Sequence, residues 1–232
     1  MNIVIINGQN HKGSTYHIGR MLAERVGGDI AEFFLPRDFS DYCVGCSQCF
    51  EVAAEKCPHY EAQQPILKAM DAADLIILTS PVYVYHASAT MKNFLDHQGH
   101  RWLVHRPKAE MFTKQAVCIS TAAGAGMKST NKDMADSLFF WGVSKIYKMG
   151  FAVRAINWNG VTDKTRAKID REGDKVARQI RSHYGNTKPG LKAKVWFYAM
   201  RMVQSKFGWC APDVKYWNEM GWTKKVRPWK GI

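Results

Sequence analysis

The stretch Met1-Asn-Ile-Val-Ile-Ile-Asn7-Gly8-Gln9-Asn10-His11-Lys12-Gly13-Ser14-Thr15 decides the fold. Residues 2–6 form a short run rich in Ile and Val that ends at a turn cluster, which is typical of a strand buried on both faces. A polar loop follows, and apolar residues between Ile18 and Val26 then recur at helical spacing. The pattern predicts a strand, a loop and a helix, with Ser14 and Thr15 as the helix caps.

A loop between a strand and a helix N-terminus is suited to bind an anion, because free backbone N–H groups and the positive end of the helix dipole face it. The side chains that add donors or charge in this loop are Gln9, Asn10, Lys12, Ser14 and Thr15. The loop has neither the GxGxxG nor the GxxxxGK[ST] pattern of nucleotide-binding turns. An ordinary strand-to-helix turn is the alternative interpretation.

The composition favours a cytoplasmic protein with one large domain. The 232 residues include no stretch as long as a transmembrane helix, and the N-terminus lacks the layout of a signal peptide. The formal charge is +13, but residues 187–232 alone carry eight Lys and two Arg against Asp213 and Glu219. The basicity therefore belongs mainly to a C-terminal extension, which argues against a nucleic-acid groove in the main domain.

Apolar runs alternate with amphipathic segments along the rest of the main domain, and no strand hairpin is indicated. Further strands are expected at 29–35, 75–80, 115–121 and 144–155, and further helices at 64–72, 87–97 and 162–184 and around residues 134–141. Five strands alternating with helices predict an α/β fold, a doubly wound five-stranded parallel sheet spanning residues 1–186. Its ligand should lie beyond the carboxyl ends of the strands, at the switch point.

Two more loops follow predicted strands and so reach the same edge of the sheet as the first. The loop at 80–86 is apolar and aromatic, which suits the walls around a flat ring. The loop at 121–128 contains Gly124 and Gly126 among alanines, so a ligand could approach its backbone closely. The three loops independently predict one site.

Four of the six cysteines form the pattern Cys43-x2-Cys46-x2-Cys49-x7-Cys57. This spacing fits the four thiolate positions of a [4Fe–4S] cluster. Zinc bound by four thiolates and a set of silent packed thiols are the alternatives. The histidines at 97, 100 and 105 match no strong metal pattern, so we expect them at the surface or near the ligand.

The segment Ala73-Asp74-Leu-Ile-Ile-Leu-Thr-Ser80-Pro81-Val82-Tyr83, followed by Ser88-Ala-x-Met-Lys92-Asn-Phe94-Leu-Asp96, resembles a signature of the flavodoxin-like NAD(P)H-dependent FMN reductases. The cysteine pattern is similar to that of the iron–sulfur flavoproteins in the same superfamily. The resemblance covers about residues 1–185, and in the first loop Gln9 and His11 stand where Ser and Arg are commoner.

The resemblance implies an FMN-dependent oxidoreductase that takes a hydride from NAD(P)H and passes electrons to a quinone, a flavin or another small acceptor. It implies that the first loop holds the phosphate of FMN, and that the later loops wall the ring and approach its polar edge. The ring residues would be Pro81, Val82, Tyr83 and Tyr85, and those at the polar edge Thr121, Ala122, Gly124 and Gly126. No catalytic side chain is assigned. The alternative is a non-enzymatic flavin and iron–sulfur electron carrier, which the basic extension disfavours.

The C-terminal extension, residues 187–232, is predicted to be a helix at 191–207 followed by an irregular strap containing four tryptophans. The apolar stripe of this helix is too broad for a solvated surface. It could pack on the chain's own domain, on a second subunit or on an anionic membrane. Because the related reductases are commonly dimers, a homodimer wrapped by the extension is the favoured interpretation, and membrane contact is second.

Overall fold

The computed structural model describes residues 1–230, so the last two residues of the extension lie outside the described part of the chain. The strands are β1 (Asn2–Asn7), β2 (Asp29–Phe34), β3 (Leu75–Pro81), β4 (Gln115–Ala122) and β5 (Lys145–Ala152). The helices are α1 (Ser14–Val26), α2 (Gln48–Glu51), α3 (Tyr60–Ala72), α4 (Ala89–His97), α5 (Met127–Phe140), α6 (Asp163–His183), α7 (Leu191–Lys206) and α8 (Ala211–Glu219). None of these helices is both long and apolar enough to span a membrane.

The five strands form one parallel sheet in the order β2-β1-β3-β4-β5. This is the flavodoxin-like order, so the predicted fold class is confirmed. The direction of winding reverses between β1 and β3, where Ile3 of β1 lies opposite Leu75 of β3. The crevice at the carboxyl ends of these two strands is therefore where a ligand is expected.

Alternate side chains of β1 enter two separate cores, as the two-residue period of a strand requires. Ile3 and Ile5 pack with residues of α1 and α6 on one face of the sheet. Val4 and Ile6 pack with residues of α3, α4 and α5 on the other. Because both faces of the inner strands β1, β3 and β4 are covered, these strands are mostly apolar, and this is the feature that makes them recognisable in the sequence.

Two local expectations about helix starts are wrong. The N-cap of α1 is Gly13, and Ser14 and Thr15 occupy its first turn. Helix α3 begins at Tyr60, four residues before the expected start at Gln64, although Pro65 then lies inside the helix. Proline is favoured in the first turn of a helix, because its missing N–H costs nothing there. A helix start inferred from Pro65 is therefore later than the start that the structure shows.

The extension also differs from expectation, because its second part contains helix α8 and is not an irregular strap. The buried side chains of α8 are Asp213 and Trp217, one polar and one apolar. A nine-residue helix whose inward positions include a carboxylate shows no apolar periodicity. For this reason the sequence pattern does not reveal it.

The buried side of the extension packs on the chain's own domain. Phe197, Trp217 and Trp222 form a third apolar cluster with Leu103 and Phe112 of the main domain. The three aromatic side chains are almost fully buried there. The expectation that a second subunit would receive this side of the extension is therefore wrong. The opposite side of α7 remains exposed, with Leu191, Val195 and Met202 each more than half accessible.

Candidate functional site

The loop after β1 is tied to the start of α4. Gly8 donates its N–H to the carbonyl oxygen of Thr79 at 2.7 Å, and its own carbonyl accepts bonds from Ser88 Oγ at 2.5 Å and Thr90 Oγ1 at 2.8 Å. A Cβ atom at this glycine would lie 2.8 Å from Ser88 Oγ. Only a residue without a side chain fits such an approach, so the first two loops are held at a fixed distance.

The N-terminus of α1 lies in this loop and lacks a capping side chain. Because its N-cap is Gly13, no hydroxyl or carboxylate of the cap accepts a bond from the first-turn amides. The side chains of Ser14 and Thr15 are buried beside those amides, whereas Asn10 and Lys12 are exposed. The arrangement has the donors and the dipole orientation that bind a phosphate.

The loop after β3 presents an aromatic surface to solvent. Tyr83 is 52% exposed, Val84 93% and Tyr85 63%, at a tight turn in which Tyr83 and His86 exchange backbone hydrogen bonds of 3.0 Å. Val84 and Tyr85 both have positive φ, at 49° and 67°. A β-branched residue in the left-handed region is strained, and such strain is concentrated at ligand sites.

The loop after β4 lies against both of the others. Thr121 Oγ1 lies 3.3 Å from Thr15 Oγ1 in the first loop. Gly126 has a φ of 97°, and a Cβ atom there would come within 2.5 Å of Val82 Cγ1. Gly126 is thus required both by its backbone conformation and by the close approach of the aromatic loop.

These loops border one open cleft of about 190 Å³ at the carboxyl end of the sheet. Eight of the predicted residues line it: Gln9, Ser14, Thr15, Pro81, Val82, Tyr83, Thr121 and Ala122. Five predicted residues lie outside this lining, namely Asn10, Lys12, Tyr85, Gly124 and Gly126. All five belong to the same three loops, so they flank the cleft.

Several residues that line the cleft are not among those predicted from the sequence. His11, Gly13 and Ala123 lie in loops already recognised, whereas Val153, Ala155 and Ile156 come from a fourth loop after β5. Ile156 is fully exposed beside the cleft. The reasoning that located the other loops would have found this one, because β5 ends at the same edge of the sheet. The expected strand at 144–155 extended through the loop and concealed it.

The cleft fits FMN on two observations. Its phosphate end is an uncapped helix N-terminus without a carboxylate among the lining residues, which suits a dianion. Elsewhere in its lining, Tyr83 and Ile156 are exposed to solvent, where a flat ring would cover apolar surface.

All four cysteines of the clustered pattern line a second, small cavity of about 60 Å³, which shares no lining residue with the first. Burial, and then the neighbouring thiols of Cys57, Cys43 and Cys46, raise the pKa of Cys49 to about 11. The remaining two cysteines are not part of this lining, and Cys118 is fully buried inside β4.

The spacing of these thiols discriminates between two kinds of metal site. Tetrahedral zinc with bonds of about 2.3 Å holds its sulfur ligands roughly 3.8 Å apart. Within residues 1–230, no three of the cysteine sulfurs lie within 4.8 Å of one another. A four-iron cluster binds each thiolate through a different iron and so needs a wider set. The cysteine sulfurs are therefore not placed for a zinc ion bound by four thiolates.

The three histidines were expected at the surface or near the ligand. They lie outside the lining of the ligand cleft, His97 is buried, and His100 and His105 are half-buried. His97 is 4% exposed and faces the cysteine cavity, where burial lowers its pKa. Burial, and then the charges of Arg101 and Arg106, lower the pKa of His100 to about 3. His105 is 2.7 Å from the Asp213 carboxylate of α8. Each histidine packs between segments distant in the chain, and no local pattern reveals this.

The extension also contacts the cysteine segment. Arg106 donates to the carbonyl oxygens of Cys49 and Phe50 and is paired with Asp213 of α8. Cys210 Sγ lies 3.5 Å from the same Phe50 carbonyl. Helix α8 therefore braces the segment that carries the clustered thiols.

Comparison with known proteins agrees with this geometry. A family model described as NADPH-dependent FMN reductase matches residues 1–157. An iron-sulfur flavoprotein of Archaeoglobus fulgidus is 24% identical over 200 residues, covering 85% of this chain and 87% of that protein. A flavone reductase structure superposes with a TM-score of 0.58 at 16% identity, covering 82% of this chain and 66% of the other.

An NADH:FMN oxidoreductase in its apo form gives a TM-score of 0.55 at 16% identity, covering 82% of this chain and 95% of the other. At these identities the superpositions show the shared fold, and the family model carries the assignment. The family model matches well over half of this chain. The chain therefore belongs to the NADPH-dependent FMN reductase family and is an NAD(P)H-dependent flavin oxidoreductase.

Proposed function

We propose that this protein binds FMN in the cleft between the loops after β1, β3, β4 and β5, receives a hydride from NAD(P)H, and delivers electrons to a quinone, a free flavin or a similar small acceptor. The observation that carries the proposal is the pairing of an uncapped helix N-terminus with an exposed aromatic wall at one switch point. Bound FMN would supply the hydride and electron chemistry. The chain's residues bind and orient it.

Each part of the cleft has a separate task in this proposal. The first-turn amides of α1, together with Ser14, Thr15 and the exposed Asn10 and Lys12, bind the phosphate. Gln9, whose amide lies 3.4 Å from the His11 carbonyl, helps to shape that loop.

The remaining loops position the ring. Pro81, Val82, Tyr83 and Tyr85 support its apolar face, and the backbone of residues 121–126 borders its polar edge. Because Tyr83 and Tyr85 are exposed, the opposite face remains open to the nicotinamide and then to the acceptor.

A charge placed at the phosphate end tests the binding mode. Ser14→Asp puts a carboxylate at the first position of α1, where it suits the helix dipole and should preserve the fold but repel a phosphate. We expect FMN affinity to fall at least tenfold, whereas affinity for riboflavin, which has no phosphate, stays within about twofold. Ser182→Asp, on the exposed C-terminal turn of α6, is the matched control. Equal losses for both ligands, or no loss for either, would contradict the proposal.

A second substitution tests the loop that supports the flavin ring: Tyr83→Ala should weaken FMN and riboflavin binding alike. Tyr184→Ala is the control, because Tyr184 is similarly exposed but lies outside the cleft. Steady-state oxidation of NADH and NADPH with a quinone or free flavin then identifies the acceptor class. An electron carrier without enzymatic activity would show no such turnover.

The clustered cysteines favour a second component, a [4Fe–4S] cluster held by Cys43, Cys46, Cys49 and Cys57. All four line one cavity, and their relative spacing is wider than a single zinc ion requires. After anaerobic purification, iron and sulfide should be present in stoichiometric amounts and be lost in Cys46→Ser. Cys118→Ser, inside β4, should retain them. Iron-free wild-type protein with full activity would show that the cysteines are silent in the reaction.

We also infer a homodimer, formed through the exposed side of α7. Leu191, Val195 and Met202 expose apolar surface there that the chain's own domain does not cover. Val195→Glu should shift the sedimentation of the protein towards that of a monomer, and Lys192→Glu should do so less. A wild-type monomer that sediments with anionic lipid vesicles would identify the basic helix as a membrane-surface contact instead.

A further inference from the structure

Cys57, His59 and His97 bring one sulfur and two imidazole nitrogens together beside the four-cysteine cavity. Their ligand atoms all lie within 4.8 Å of one another. We propose that these three residues form a binding site for a single divalent transition metal ion, and that Zn²⁺ is the ion that the donor set suits. One thiolate and two neutral imidazoles are borderline-soft ligands, the combination that zinc accepts in tetrahedral sites with an open position.

The distance between the two imidazoles already matches a bound ion. His59 Nδ1 and His97 Nε2 are 3.1 Å apart. Two nitrogens bound tetrahedrally at 2.0–2.1 Å would be roughly 3.3 Å apart. No fourth His, Cys, Asp or Glu of the described chain joins this group, so water would take the remaining position. Binding requires only a small closing movement of the Cys57 sulfur.

Groups behind the ligands orient them as outer partners of a metal site do. His97 Nδ1 lies 2.9 Å from the Asn93 carbonyl, to which it donates, and this leaves the lone pair of Nε2 directed at His59. Gln63 Nε2 points to Cys57 Sγ at 3.8 Å, and Gln98 holds Gln63 in place through a 2.7 Å bond. Both glutamines are buried. Such hydrogen bonds fix the tautomer of a histidine ligand and the direction in which each ligand atom points.

The proton balance of binding follows from these contacts. Without metal, His97 Nε2 accepts a bond, so the proton of His59 must lie on Nδ1. Metal binding shifts that proton to Nε2 of His59 and releases the thiol proton of Cys57 to solvent. The metal then links the cysteine segment to α4 across 38 residues of chain.

Zinc at this site and the four-iron cluster are alternative occupants, since both require the thiolate of Cys57. The two are distinguishable because their other ligands differ. The histidines serve only the zinc site, whereas Cys43, Cys46 and Cys49 serve only the cluster. The metal-site proposal therefore applies to protein in which no cluster is assembled, and the test starts from metal-free protein for that reason.

Cobalt is the probe, because Co²⁺ bound to a thiolate absorbs where Zn²⁺ is silent. Full-length protein, stripped of metal by a chelator under anaerobic reducing conditions, is titrated with Co²⁺ and then with Zn²⁺. We expect one equivalent of tetrahedral Co²⁺ with a thiolate charge-transfer band, displaced by one equivalent of Zn²⁺. Cys57→Ser should abolish the band, and His59→Ala and His97→Ala should each weaken binding at least tenfold. Gln63→Leu should weaken it about tenfold by the loss of an outer partner.

Cys46→Ser is the matched control and should bind Co²⁺ within about twofold of the wild type. If His97→Ala proves unfolded by circular dichroism, the half-buried His59 decides the result, because its replacement removes no core side chain. The proposal is overturned if the wild type binds no Co²⁺, or if both histidine variants bind it as tightly as the wild type. It is also overturned if Cys46→Ser loses binding as completely as Cys57→Ser, since the ion would then sit among the cysteines.

Discussion

At the scale of single residues, the aromatic loop after β3 holds Val84 in a conformation that valine disfavours. Its φ is 49° and its side chain is 93% exposed, so the strain is not offset by packing. Val84→Gly should raise the free energy of unfolding by about 1 kcal/mol, because glycine adopts this region without steric cost. Urea unfolding measures the change. Val44→Gly, at an exposed loop residue without positive φ, should not stabilise the protein, and a similar gain there would refute the strain argument.

His100 gives the protein a pH dependence of known sign. Its pKa falls from 6.5 to about 3 on folding, so between these values the unfolded chain binds more protons than the native one. The stability contributed by the neutral imidazole is therefore present above pH 6.5 and is lost as the pH falls towards 3, at up to about 1.4 kcal/mol per pH unit. The free energy of unfolding, measured with urea at pH 7.5 and at pH 5, should differ less between the two pH values in His100→Gln than in the wild type. An unchanged difference would mean that His100 does not titrate in this way.

At the scale of elements, helix α8 is anchored by a buried ion pair. Asp213 is 1% exposed and accepts bonds from Arg106 and His105, and Arg106 in turn contacts the carbonyl of Cys49. Asp213→Ala leaves the guanidinium buried without a partner, which should cost roughly 3 kcal/mol or more. It should also make Cys49 more accessible to alkylation. Glu219→Ala, on the exposed side of the same helix, is the control and should change neither quantity. Protection of Cys49 in the Asp213 variant would show that α8 does not brace the cysteine segment.

At the scale of the whole molecule, the extension completes the apolar core of the main domain. Trp217 is fully buried with Phe197 and Trp222 against Phe112. Trp217→Ala should lower the free energy of unfolding by about 3–5 kcal/mol, the usual cost of a large core truncation. Trp209→Ala, whose side chain is 76% exposed, should have little effect. Equal and small losses would indicate that the extension and the main domain unfold independently.

The main domain was predictable because its inner strands are buried on both faces and are therefore mostly apolar. Three of the four loops at the ligand cleft followed from the ends of those strands. The fourth was missed because the apolar residues Phe151, Ala152 and Val153 run past the end of β5 without a glycine or proline, so that the sequence does not mark the end of the strand. Helix α8 was missed because Asp213, which faces inward, binds Arg106 and His105 about 107 residues away.

The sequence by itself determined the strands of the parallel sheet, the loop that leads into α1 and the spacing of the four clustered cysteines, because each is a pattern of residues close together in the chain. Only the tertiary structure decided that His97 faces Cys57 and His59, that α8 braces the cysteine segment, and that Trp217 fills the protein's own core. Those contacts join residues 38 to about 160 positions apart. The free energy of each depends on burial and on a partner from another element, and neither is encoded in the local spacing of residues.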